Sequence, residues 1–208
     1  MPPIDTLIAF FGISLLLGLT PGPDNVFVLL QSAMRGPRAG MVVVLGLCTG
    51  LLVHTAAVAL GLATLFAASA TAFVVLKICG ALYLAWLAWQ AFRAPAGTAA
   101  SSGTEPAGGW RMYVRGVVMN LTNPKVVIFF LAFLPQFVAP QRGQIALQIG
   151  VLGLLFIVAT LLVFGAIALG SGLFGTLLLR SPRAQRALNW FAGAVFLGLA
   201  VRLATSQR

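Results

Sequence analysis

AGMVVVLGLCTGLLVHTAAVALGLATLFAASATAFVVL, residues 39–76, contains no Asp, Glu, Lys or Arg in 38 positions, and residues 143–179 make a second charge-free run of 37. At a rise of ~1.5 Å per residue, about 20 apolar residues cross the hydrocarbon of a bilayer, so each run exceeds one span. The core of a water-soluble domain needs no such length. The whole chain agrees: 60% of its 208 residues are hydrophobic and 8% are charged. The mean hydropathy of +1.03 is well beyond a soluble globular composition.

Outward from these runs, apolar length and pattern predict an all-α, polytopic membrane protein with six transmembrane helices, over residues 4–30, 40–66, 70–92, 113–138, 145–169 and 187–204. The first reads as a span and not as a cleaved leader, since no Lys or Arg precedes it and no small-residue cleavage site follows. The fifth apolar run continues to Leu179, and its excess over one span reads as an interfacial segment. Residues 94–110, rich in small residues, Gly and Pro, cannot bury enough apolar surface to fold. They are expected to form a flexible cytoplasmic loop between two three-helix halves, residues 1–93 and 111–208. With this count Arg35, Arg38, Arg93, Arg111, Arg115, Arg180, Arg183 and Arg186 share one side, against Arg142, Arg202 and Arg208 on the other. The excess of positive charge puts the first group in the cytoplasm and both termini outside.

The net charge of +10 therefore orients the chain. Its basic residues lie between spans and form no stripe interleaved with aromatics, so no nucleic-acid partner is expected. With Asp5, Asp24 and Glu105 as the only acids and His54 as the one histidine, neither a metal site nor a cofactor is expected. Cys48 and Cys79 lack CxxC spacing and read as free buried thiols.

The two halves echo each other. Leu19-Thr20-Pro21 breaks span one and Leu121-Thr122-Asn123-Pro124 breaks span four, both near mid-span. Gly80-Ala81-Leu82-Tyr83-Leu84 in span three resembles Gly193-Ala194-Val195-Phe196-Leu197 in span six. Three spans are an odd number, so the second copy enters the membrane upside down. Two inverted three-helix repeats with broken helices one and four point to a secondary transporter whose site lies at the repeat interface.

Pro21, Pro23 and Pro124 each remove a backbone donor and leave carbonyls that hydrocarbon cannot satisfy. Thr20, Asn25, Asn120, Thr122 and Asn123 stand beside the breaks, able to serve those groups or a substrate. Asp24 is the only acid deep in a span, and Lys125 lies ten residues beyond Arg115, about 15 Å into the membrane. If the repeats superpose, the two face each other across the symmetry axis and pair when the site is empty. The local alternatives are that Asp24 caps the second half-helix and that Lys125 snorkels. Snorkelling from mid-membrane is strained, whereas for Lys77, two turns from the outer end of span three, it is the simpler account. His54 follows Gly46 and Gly50 at four-residue spacing, on a face opened for close packing, where it either bonds across helices or carries a proton. The expected substrate-binding set is Pro21, Pro23, Asp24, Asn25, Asn120, Asn123, Pro124 and Lys125, with Asp24 and His54 as proton-coupling candidates. A substrate carboxylate would meet Lys125 and a half-helix N-terminus, and its ammonium would meet Asp24 and the freed carbonyls.

GLTPGPDN at 18–25, the Gly46, Gly50, His54 pattern, LKICGALYLAWLAW from Leu76 and NLTNPKVVIFFLAFLPQF from Asn120 resemble the LysE/RhtB family of amino-acid exporters, over nearly the whole chain. The resemblance implies a multi-pass bacterial inner-membrane exporter, not an enzyme. It also implies an antiporter driven by the proton gradient, with substrates such as homoserine, threonine, lysine or arginine. Members exporting lysine and arginine carry additional intramembrane acids. Spans two and four here have none, which turns the expectation toward a neutral amino acid or another small metabolite. The expected partners are that substrate, protons and membrane lipids. A homodimer through the Gly-bearing faces competes with internal packing for the same residues.

Three other readings compete. An intramembrane enzyme would pair Ser171 with His54, and a thiol or electron relay would use Cys48 and Cys79. A passive channel is disfavoured because a mid-membrane Asp and Lys suit a binding site better than a conduction path.

Overall fold

Proline dictates where the first and fourth spans divide. In the computed structural model, which describes residues 1–68, 70–94 and 108–205 with side chains outside 62–73 and 172–180, helix α1 (Ile4–Leu19) stops at Thr20-Pro21-Gly22. Helix α2 (Pro23–Arg35) then starts at an angle of 62° to it. Helix α5 (Gly109–Thr122) ends at Asn123, and α6 (Pro124–Ile128) opens a second segment, Pro124–Phe137, bent by 51°. Both second halves begin on a proline, where the missing N–H would have had no helical partner and the fixed φ suits a first turn.

The unbroken helices are α3 (Pro37–Ala68), α4 (Ala70–Arg93), α7 (Ile145–Arg180) and α8 (Pro182–Thr205). These four are long and apolar enough to cross a membrane, and six spans result if each bent pair counts as one. The outer half of span four differs from the simple helix expected. After α6 come a π-helical turn (Phe129–Phe133) and a 3₁₀ turn (Leu134–Phe137), and Pro135 sits where an α-helix would need its amide. The fifth run continues as one helix to Arg180 with no turn that would hide a seventh span. The connector read over 94–110 lies outside the described residues from 95 to 107, and helix resumes at Gly109.

Close contacts fix the helix directions. Gly46 lies against Tyr113 and Gly116, and Gly50 against Asn120, so α3 and α5 run parallel. Gly153 meets Thr55 and Gly40 faces Ala168, so α3 and α7 are antiparallel; Gly80 with Leu203 and Gly193 with Phe92 make α4 and α8 antiparallel too. The helix ends bearing Arg35, Arg38, Arg93, Arg111, Arg115, Arg180, Arg183 and Arg186 therefore gather at one end of the bundle, the cytoplasmic one by charge bias.

The apolar core comes in two pieces. On the outer side Phe10, Phe129, Phe130, Phe133, Phe137 and Phe156 interlock, with ring centroids such as Phe129–Phe156 at 5.0 Å and Phe10–Phe137 at 5.1 Å. On the cytoplasmic side Phe27, Val28, Val43, Leu47, Met112 and Phe164 pack together. Lipid tails give helices no hydrophobic reason to associate, so such close packing must hold the bundle. The two breaks carry the polar residues between these pieces.

Candidate functional site

In an unbroken helix the amide of residue 21 would bond to the carbonyl of Leu17; Pro21 has no such amide, and the Leu17 oxygen is stranded. Lys125 crosses over to claim it. Its Nζ donates to Leu17 O (3.4 Å) and Thr20 O (3.2 Å), so the ammonium sits at the negative end of α1. Asn25 Nδ2 donates to the next stranded oxygen, Gly18 O, at 2.7 Å. Gly22 leaves the room: a Cβ there would stand 3.3 Å from Nζ.

Asp24 is the second residue of α2, at its positive end, and is only 3% exposed. The N-cap of α2 is Gly22, which makes no side-chain cap, so Asp24 does not cap this helix. One carboxylate oxygen, Oδ2, accepts from Asn123 Nδ2 at 2.7 Å; the other, Oδ1, has no partner. The Asn123 Oδ1 accepts from the backbone N of Lys125 (3.0 Å) and thereby caps α6. A single amide thus stands between the two charges. Among the described residues no ion pair joins Asp24 to Lys125, which corrects the direct pairing expected of an empty site. The expectation that freed carbonyls await a substrate ammonium is corrected as well: those of Leu17, Gly18 and Thr20 are taken by Lys125 and Asn25.

The second break repeats the logic. Pro124 strands the Asn120 carbonyl, which accepts from Asn123 N (3.2 Å) and lies 3.4 Å from His54 Nε2. A carbonyl only accepts, so Nε2 holds the proton and a neutral ring has Nδ1 bare. His54 therefore makes the cross-helix bond. Gly50 makes room for Asn120, whose Oδ1 would stand 2.6 Å from a Cβ there; that oxygen, like Asn25 Oδ1, is buried without a partner.

The structure thus brings Asp24, Asn25, Asn123 and Lys125 together, with Asn120 one turn back on α5 and His54 of α3 against its carbonyl. Pro21, Pro23 and Pro124 have neither a polar side chain nor an amide proton; they strand the oxygens. Thr122 turns away, exposed and bonded back to Val118 O. Sequence reading missed Gln148, fully buried and bridging Ala139 N, Ala139 O and Gly143 O beside span four. It also missed Gln31, a buried amide seven residues after Asp24, a spacing that returns to the same helix face.

Two rival constellations do not assemble. Thr55 meets Gly153, and Ser171 lies eighteen residues further along α7, about 27 Å by helical rise, so Ser171 and His54 cannot pair. Cys48 is buried among cytoplasmic-side side chains whereas Cys79 is exposed, and both thiols are free.

Spans broken halfway, with buried and partly unpartnered polar groups at the breaks, define a membrane translocator. The chain belongs to the LysE type translocator family, whose model matches residues 7–207, and it is a multi-pass protein of the bacterial inner membrane. It is 34% identical over 199 residues to a homoserine/homoserine lactone efflux protein of Salmonella typhimurium, covering 96% of each chain. It is 32% identical over 196 residues to a threonine efflux protein of Escherichia coli, covering 91% of this chain and 92% of the relative. An uncharacterized membrane protein of Vibrio cholerae is 32% identical over 205 residues, 98% of each chain. No solved structure matches.

Proposed function

We propose that this protein exports a small neutral amino acid, homoserine or threonine first among candidates, from the cytoplasm in exchange for protons. The names of two relatives support the substrate class. The observation that carries the reading is a buried carboxylate with one oxygen free, held apart from a buried ammonium by Asn123. A zwitterion answers both charges: its ammonium goes to Asp24 Oδ1 and Asn25 Oδ1, and its carboxylate draws Lys125 Nζ from the α1 carbonyls. Asn120 Oδ1, one turn back on α5, offers an acceptor to the side-chain hydroxyl that homoserine and threonine share.

The two halves of the chain act as inverted repeats that rock about this point, which lies between the outer and cytoplasmic apolar clusters. Efflux from vesicles loaded with homoserine tests the site. The Asp24→Asn, Lys125→Ala double variant, matched for amount of protein, is expected to release no more than protein-free vesicles. Release at the wild-type rate would end the proposal.

Coupling follows from the single acid. Asp24 can hold a proton or a substrate ammonium, not both, so a proton taken up outside displaces the amino acid and is given up inside. His54 Nδ1 is the second group able to take a proton. Each unit by which the outside is made more acidic adds about 1.4 kcal/mol of driving force per proton. External acidification is therefore expected to speed efflux, and a protonophore to remove the increase. Efflux that ignores the pH gradient would rule out Asp24 as the shared seat.

A further inference from the structure

Gln31 is buried to 5% exposure and its Oε1 has no hydrogen-bond partner, yet it lies two turns cytoplasmic of Asp24, outside the central site. In a bilayer a buried amide oxygen without a donor is costly, which marks the position as one that receives a donor. At about 100° per residue, Gln31 falls midway around α2 between Phe27 and Arg35. Both of those residues touch α5: the Arg115 guanidinium lies 4.6 Å from the Phe27 ring centroid, and Arg35 Nη1 is 3.7 Å from Met112 Sδ. Gln31 therefore faces the seam between α2 and α5, the cytoplasmic halves of the two broken spans. Along α2 this seam runs from Arg35 at the arginine-rich end past Gln31 and the buried Phe27 to Asp24, one turn beyond Phe27.

We propose that Gln31, Arg115 and Phe27 form an inlet subsite for a zwitterion on the cytoplasmic side of the central site. Gln31 Oε1 accepts from the substrate ammonium, and Arg115 leaves the Phe27 ring to take the carboxylate. Arg115 is exposed although Phe27 is buried, and a cation–π contact made by a solvated guanidinium is weaker than its two-pronged bond to a carboxylate, so the exchange is favourable. Released from Arg115, Phe27 swings aside and the amino acid passes to Asp24. The inlet rests on the export reading, because it presumes an amino acid travelling from the cytoplasm to that carboxylate.

The test is uptake of labelled homoserine into inside-out vesicles bearing the full-length protein, where the cytoplasmic face is outermost. Gln31→Leu and Arg115→Met are each expected to raise the half-saturating concentration about tenfold, with a smaller effect on maximal rate. Gln31→Glu, which restores an acceptor oxygen, should return it to the wild-type value or below, a rescue that a merely structural role does not predict. Unchanged half-saturation in Gln31→Leu and Arg115→Met, or Gln31→Glu behaving like Gln31→Leu, overturns the inlet. Asp24→Asn separates the two levels. If it abolishes uptake while the Gln31 and Arg115 variants behave as wild type, the inlet alone falls. If it transports normally, or if the wild type moves neither homoserine nor threonine, the export reading falls and takes the inlet with it.

Discussion

Vesicles carrying Asp24→Asn alone are expected to release homoserine at less than about one-hundredth of the wild-type rate. Asparagine matches aspartate in shape, and its Oδ1 can still accept from Asn123 Nδ2, so the bend between α1 and α2 should survive. What disappears is the charge. Lys125 loses its only acidic neighbour deep in the membrane, and a substrate ammonium loses its counter-ion. Removing one member of a buried charged set costs about 3–5 kcal/mol, which corresponds to roughly a hundredfold to several thousandfold in an equilibrium constant. Initial efflux at equal protein density is the measurement, and a rate within threefold of wild type would refute the role given to this carboxylate.

A second large effect belongs to packing. Gly46→Leu is expected to lower the thermal midpoint of the detergent-solubilised protein by about 6–12 °C, from an overpacking cost of about 3 kcal/mol. A Cβ at Gly46 would run into the Tyr113 carbonyl oxygen and stand 3.1 Å from Gly116 Cα. These are backbone atoms, which cannot swing away as a flexible side chain can. Forcing α3 from α5 also loosens Gly50 from Asn120 and His54 from the Asn120 carbonyl, so export should fail together with stability. Gly12→Leu is the control, because nothing lies within 4 Å of a Cβ there. Equal midpoints for the two variants would show that the α3–α5 contact does not limit stability.

The spans and both breaks were legible because each rests on one chemical fact. Charge-free runs need a non-aqueous solvent, and proline lacks an amide proton. The same facts picked out Asp24 and Lys125, since charges are rare at that depth. Which donor would reach each stranded oxygen was not legible. Lys125 finds Leu17 across 108 positions of sequence, and Asn123 serves both Asp24 and Lys125, only because the folded bundle brings the two breaks side by side. Thr122 and Asn123 both stand beside the break, but Thr122 ends α5 and turns back on it, whereas Asn123 is extended and reaches the site. The π-helical turn was hidden for a related reason, since its residues, FFLAF, would fit any apolar helix.

The ligands of the Lys125 ammonium are main-chain oxygens, and this shapes how the protein can drift over generations. Leu17 and Thr20 can be exchanged for residues of similar bulk without erasing that berth, because every amino acid brings the same carbonyl. Pro21 has no such latitude: any replacement restores an amide proton that can compete with the lysine for the Leu17 oxygen.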